Sequence, residues 1–248
     1  MPTAIATKLF VIAAHPDDDV IGAGGTISHV ARSGGQVSVA YLTDGSRSHP
    51  GSRSYSPEDV RDLREREAVD SLAVFGVTSK PAFFRLPDSG LSTISRQTRS
   101  AAAHRLAGLI AAFGPDLILS PWRRDPHIDH IVTSEIARDA AKIAGYEGDF
   151  ATYEVWLPIR GESRDEPSPH EVRGVRLAID STGMDAKRRA ILAHRSQTSD
   201  LIGDDPTHFR IDAEMMARWV TPVERLFYEQ MRDRRQFLAA TGGPRGSN

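Results

Sequence analysis

Residues 8–25 read KLFVIAAHPDDDVIGAGG, and the fold turns on how this stretch is understood. Lys8–Ala14 is an almost wholly apolar run of strand length, the pattern of a strand buried on both faces. It stops abruptly at His15, Pro16 and three consecutive aspartates, Asp17, Asp18 and Asp19. The following VIGAGGTISHVARSGG reads as a helix that ends at Gly34-Gly35, a good stop signal. Strand, polar turn and helix form the first unit of an alternating α/β pattern.

The pattern repeats downstream. QVSVAYLT predicts a second strand, and the polar DGSRSHPGSRSYS that follows predicts a long loop. Ser56-Pro57-Glu58-Asp59 predicts a helix start, with Ser as N-cap, Pro in the first turn and acids near the positive end; this helix should run to about Phe75. AFFRL predicts a third strand, TISRQTRSAAAHRLAGLIAAFG a long helix, DLILSPW a fourth strand and IVTSEIARDAAKIAG a fourth helix. Further on, TYEVWLP and GVRLAID read as strands and DAKRRAILAHRSQ as a helix. Four rounds of strand then helix predict a Rossmann-like α/β fold: a mainly parallel sheet with helices on both faces. With no internal repeat or break, residues 1–240 read as one domain and 241–248 as a disordered tail.

Composition narrows the function. The 248 residues are 40% hydrophobic and 26% charged, with a formal net charge of -2. A chain without a basic field is a poor nucleic-acid binder. There is no cysteine, so disulfides, thiolate metal sites and cysteine nucleophiles are excluded. The N-terminal apolar run is too short for a signal peptide, and no run approaches the roughly 20 apolar residues of a membrane span. The expected location is the cytoplasm.

In open α/β sheets ligands bind beyond the carboxyl ends of the strands, and the unusual polar clusters all fall there. HPDDD follows strand one, TDGSRSHPGSR strand two, LPDSG strand three and RRDPHIDH strand four. One cation would explain the acid run. His15 and Asp18, three apart on a turn entering a helix, can face one point, and His130 can supply a third ligand from strand four. His-Asp-His with an open position suits catalytic zinc, although iron or another divalent ion is compatible with such ligands. Asp17 need not bind the metal; beside it, Asp17 can take a proton from the attacking water.

The stretches AAHPDDDVIGAGGTI, LTDGS, PWRRDPHIDH and KRRAILAHRSQ together resemble the LmbE-like, or PIG-L, zinc deacetylases. The resemblance runs from about Lys8 to the ERLFYEQ near the C-terminus. It implies a Rossmann-like fold and hydrolysis of an N-acyl group, usually N-acetyl, from a glucosamine unit. It further implies that His15, Asp18 and His130 are the zinc ligands and Asp17 the general base. His127 would stabilise the oxyanion as a protonated imidazole, and Asp129 would hold a histidine in place. Two positions depart from the family: Asp19 stands where Glu is common, and Ile128 where Pro is common.

Other residues enter as substrate contacts. Asp44, Arg47 and Arg53 lie in the loop after strand two, which has the length and polarity of a substrate lid. Arg64 and Glu67 fit a recurring Arg/Glu spacing of the family, though an i, i+3 surface salt bridge explains them equally simply. Arg123 can grip an anionic or hydroxyl-rich substrate, Asp125 can brace the metal loop, and His194 lies in a family stretch. Trp122 and Trp156 serve the core or a sugar face. GAGG lacks the full spacing of a dinucleotide loop and follows acids that would repel phosphate; its glycines fit close helix–strand packing. The expected substrate is a small amino-sugar conjugate, and a homo-oligomer is compatible with the sequence. Alternatives are an amidase on a larger lipid- or antibiotic-linked N-acyl sugar, a non-catalytic carbohydrate-binding protein, and a metal-dependent phosphoesterase.

Overall fold

The computed structural model describes residues 5–229. The expected tail at 241–248 and the domain limit at 240 lie outside the described residues. Within them the chain runs β1 (Lys8–Ala13), α1 (Asp18–Arg32), β2 (Gln36–Thr43), α2 (Pro57–Ala73), β3 (Ala82–Leu86), α3 (Arg96–Phe113), β4 (Leu117–Pro121), α4 (Ile128–Ile143) and β5 (Asp149–Tyr153). It continues through α5 (Leu157–Arg160), β6 (Arg173–Ala178), α6 (Ser181–Ala193), α7 (Arg195–Thr198), α8 (Ala213–Trp219) and β7 (Val223–Glu229).

The seven strands form one sheet in the order β3-β2-β1-β4-β5-β7-β6. The first five are parallel, while β7 runs antiparallel to both β5 and β6. The alternation along β1 shows why both faces are covered. Leu9, Val11 and Ala13 join the apolar layer under α1 and α6, and Phe10 and Ile12 join the layer under α3 and α4. A strand buried on both sides has no room for polar residues until it ends, which is why the acids begin where β1 stops. The strand order reverses between β1 and β4, and their carboxyl ends open the crevice typical of this topology.

Two glycines of the GAGG run are required by close approach. A Cβ on Gly22 would strike the ring of Tyr153 in β5, and one on Gly25 would strike Ile179 and the Glu224 carboxylate. Ser56 caps α2 as its sequence predicts, in a reciprocal box with Asp59.

The chain departs from its sequence pattern in the C-terminal third. TYEVWLP is a strand only as far as Tyr153. Beyond it, Asp125 Oδ2 accepts the backbone N–H groups of Val155, Trp156 and Leu157 at 2.9, 2.8 and 3.2 Å, turning the chain into α5. Strand β7 has no clean apolar alternation because Glu224 points inward. Its carboxylate meets Lys187 Nζ at 2.7 Å, both side chains being buried, and accepts the N–H groups of Gly25 and Thr26 from the middle of α1. Truncating one partner strands a buried charge, at a cost of about 3–5 kcal/mol. Glu224→Ala should therefore lower unfolding free energy in urea by about that amount; a loss below about 1 kcal/mol would mean that water replaces the carboxylate.

Candidate active site

The three aspartates after β1 are all buried, and each is answered by a different partner. Asp17 sits at the N-cap of α1 with φ 131° and makes no side-chain cap bond. Its backbone is strained, and its carboxylate faces the crevice instead of the helix end. Arg64, buried on α2, donates to Asp17 Oδ2 at 3.0 Å and to the carbonyls of Pro16 and Gly45 at 2.6 and 2.9 Å. Burial pushes Asp17 up to about 7 against the pull of Arg64. Asp19 turns away from the crevice: Tyr41 donates to it at 2.9 Å, and burial raises it to about 7.

Asp18 is the centre of the cluster. Its Oδ2 lies 3.1 Å from His15 Nδ1 and 3.2 Å from His130 Nε2. Each ring carries a carboxylate on its opposite nitrogen. His15 Nε2 is 3.2 Å from Asp88 and 3.3 Å from Asp129, and His130 Nδ1 is 2.9 Å from Asp125. Burial would depress His130, but Asp18 and Asp125 outweigh it and lift the imidazole to about 9; His15 is raised in the same way. Burial would raise Asp18, but the charges of His130 and His15 hold it well below the ordinary carboxylate range.

His127, the N-cap of α4, accepts the Asp129 N–H on Nδ1 at 3.2 Å. That bond places the ring proton on Nε2. Burial first, then the neighbouring charges of His15 and His130, push His127 down to about 4. In the metal-free protein this disfavours the protonated imidazole that the family resemblance implies and leaves Nε2–H as a donor. Asp129 is itself fixed by the N–H groups of Ser89 and Leu91 at 2.7 and 3.0 Å; Ser89 adopts φ 55° to present its amide.

His15, Asp17, Asp18, Asp88, Ser89 and His127 line a crevice of about 190 Å³ together with Arg47, Ser48, Arg64, Trp156, Arg160 and Phe209, while His130, Asp125 and Asp129 are fully buried. Of the residues expected to contact substrate, Arg47 and Arg64 reach its wall. The others do not. Asp44 accepts from the N–H and hydroxyl of Ser46, closing a turn. Arg53 is exposed, its backbone N–H bound to Asp204. Arg123 pairs with Glu171 at 2.5 Å. His194 is buried, both ring nitrogens lack a hydrogen bond, and burial pushes it down to about 3. Arg64 and Glu67 do not pair with each other, because Glu67 accepts from the N–H and hydroxyl of Ser196. Sequence reasoning missed Asp88 and Arg160. LPDSG marked a polar strand end, but only the fold puts its carboxylate against His15.

The donor set fits a divalent metal. Two ligands each about 2.0–2.1 Å from a tetrahedral zinc ion stand about 3.3–3.4 Å apart, close to the observed Asp18–His15 and Asp18–His130 separations. His130 Nε2 is buried without a well-formed hydrogen bond, and carboxylates on the far nitrogens are the usual support of metal-binding histidines. Among the described residues, the sets whose ligand atoms all lie within 4.8 Å of one another are His15, His127 and His130, and His15, Asp88 and Asp129; Asp18 joins His15 and His130 through its own contacts at 3.1 and 3.2 Å. The first set leaves out the carboxylate that touches two of its rings. The second uses the far nitrogen of His15, already held by hydrogen bonds.

Comparison with known proteins accords with this geometry. Residues 10–141, more than half of the chain, match the family described as PIG-L, GlcNAc-PI de-N-acetylase. A 1D-myo-inositol 2-acetamido-2-deoxy-alpha-D-glucopyranoside deacetylase of Mycobacterium sp. (strain KMS) is 26% identical, over 79% of this chain and 75% of that protein. The N,N'-diacetylchitobiose deacetylase of Pyrococcus horikoshii superposes with a TM-score of 0.62 at 26% identity, covering 81% of this chain and 74% of its own. The 4-carboxy-2-hydroxymuconate hydratase of Pseudomonas putida superposes with a TM-score of 0.68 at 20% identity, covering 90% of this chain and 95% of its own. That last likeness concerns the fold alone. No helix among the described residues is long and apolar enough to cross a membrane.

The raised histidines set a pH dependence for the metal-free protein. A group whose pKa rises on folding contributes stability that is full below its unfolded value and lost as pH climbs through the folded one. For His130 that window runs from 6.5 to about 9, and His15 acts in the same direction. Asp17 and Asp19, raised from 3.8 to about 7, lose theirs at lower pH. Metal-free protein should therefore lose on the order of 1–2 kcal/mol between pH 7 and 9. Added zinc, which needs neutral imidazoles, should cancel the decline. A flat metal-free melting profile over that range would show that the imidazoles do not hold protons.

Proposed function

The chain belongs to the PIG-L family of GlcNAc-PI de-N-acetylases, and from that premise we propose that it is a zinc-dependent hydrolase in which His15, Asp18 and His130 hold the metal. Its substrate is a glucosamine-containing molecule from which an N-acyl group, N-acetyl in the simplest case, is removed. The observation that carries this reading is the single Asp18 oxygen set against inner nitrogens of two histidines whose outer nitrogens are braced by carboxylates.

A metal held by His15, Asp18 and His130 would supply Lewis acidity and would lower the pKa of water to roughly 7. The remaining work falls to the chain. Arg64 occupies one oxygen of Asp17 and fixes the carboxylate at the crevice wall. Asp17 takes the proton of the attacking water and delivers it to the amide nitrogen as the C–N bond breaks. His127, neutral and protonated on Nε2, donates to the oxygen that gains charge at the tetrahedral carbon; one such donor is worth roughly 3 kcal/mol. Asp129 keeps two histidines in register, since its carboxylate holds His15 and its backbone N–H holds His127.

Two measurements separate binding the metal from moving the proton. His15→Ala, Asp18→Ala and His130→Ala should each lose bound metal and amine release from N-acetylglucosamine conjugates. Full metal occupancy by elemental analysis would remove that residue from the ligand set. Asp17→Asn should keep the metal while kcat falls about 100-fold or more. A metal-replete Asp17→Asn enzyme with near-normal turnover would place the base elsewhere.

A further inference from the structure

The floor and the mouth of the crevice have opposite electrostatic character. On the floor, the charges of Asp17, Asp18 and Asp88 are met by Arg64, His15 and His130. At the mouth, Arg47 and Arg160 line the same crevice, are exposed, and have no carboxylate partner among the described residues. Other arginines on nearby segments are neutralised: Arg123 and Arg124 by Glu171, and Arg225 by Glu154 and Glu166. Two guanidinium groups that face one crevice without a carboxylate partner give its mouth a positive rim.

Both arginines are positioned. Arg47 follows β2, and its backbone N–H donates to Asp88 Oδ2 at 2.9 Å. Arg160 ends α5, the segment whose entry Asp125 fixes through three amides. Its guanidinium lies 4.1 Å from the Trp156 ring centroid, and Trp156 is wedged by Phe209 and Trp219 at 5.5 and 5.7 Å. A guanidinium resting on an aromatic face is pre-organised and keeps its in-plane N–H donors for a planar or tetrahedral anion. In the sheet order β2-β1-β4-β5, the two arginines enter from opposite flanks of the strands that carry the proposed metal ligands.

We propose that Arg47 and Arg160 form a two-sided clamp for a phosphate or carboxylate on the substrate, outside the reacting amide, so that the substrate class is acidic N-acyl amino sugars. The proposal rests on the de-N-acylase reading above and deepens it. Trp156 and Phe209 supply the apolar wall beside the clamp, where a sugar face can stack.

The test compares amine release from N-acetylglucosamine, N-acetylglucosamine 6-phosphate and N-acetylmuramic acid by the metal-loaded enzyme. At least one acidic probe should exceed the neutral sugar in kcat/KM by about tenfold or more, as expected for charge-assisted hydrogen bonds. The better of the two acids identifies phosphate or carboxylate as the group held. Arg47→Gln and Arg160→Gln should each erode that ratio mainly through KM, and the double variant should bring it within about twofold of unity. Arg66→Gln, an exposed arginine outside the crevice, should keep the ratio and so controls for net charge. Equal rates on acidic and neutral probes, or a preference that survives the double variant, would overturn the clamp. Calorimetry with glucosamine 6-phosphate and glucosamine separates the two claims. Arginine-dependent binding of the phosphate without turnover of any probe would keep the clamp and sink the deacylase reading. No binding difference and no turnover would sink both.

Discussion

Everything at this site follows from the burial of three adjacent carboxylates at the end of β1. Water cannot solvate them, so each needs an internal partner or a proton. The chain resolves the three differently: Arg64 for Asp17, two imidazoles for Asp18, a tyrosine hydroxyl for Asp19. The consecutive charges thus acquire separate chemistry from separate neighbours. Only Asp18 is shared between two histidines, and it is the one proposed to hold the metal. Asp17 answers to a fixed cation on one oxygen, which suits a group that must gain and lose a proton.

The backbone carries the cost of this arrangement. Asp17 at φ 131° gives up helix capping to face the crevice, and Ser89 at φ 55° turns its amide toward Asp129. Strain of this kind persists only where surrounding contacts over-determine it, and here they do. Arg64 ties Asp17 to Pro16 and Gly45, and Asp129 gathers two amides and two histidines. A preorganised set of donors is what developing charge requires in amide hydrolysis.

The first half of the fold was legible because its signals are local. Strands of buried residues alternate with capped helices, and QVSVAYLT and AFFRL occupy the strands their pattern predicts. The crevice was legible for the same reason, since polar clusters at strand ends need no tertiary knowledge. What escaped depends on contacts distant in sequence. Strand β7 hides its alternation because buried Glu224 is balanced by Lys187 from α6. Arg64 and Glu67 look like a surface pair, yet both are buried and answer different elements. Arg160 lies beyond an expected strand that Asp125 converts into a short helix. The downward shift of His127 could not be read from its motif, because it comes from burial first and then from two neighbouring histidines.

The same economy explains why the two departures from the family pattern leave the core of the site intact. Ile128 is half exposed at the start of α4, and the turn before it is secured by His127 and Asp129 instead of a proline ring. Asp19 is shorter than the usual glutamate, but its oxygen reaches Tyr41 and points away from the crevice. The residues that cannot vary so freely are Asp125 and Asp129, because each links two levels of structure. Asp129 joins His15 to the loop after β3, and Asp125 joins His130 to the segment carrying Trp156 and Arg160. The carboxylates that orient the proposed metal ligands thereby also shape the wall against which a substrate must lie. A change at either would be felt in metal affinity and in substrate positioning together.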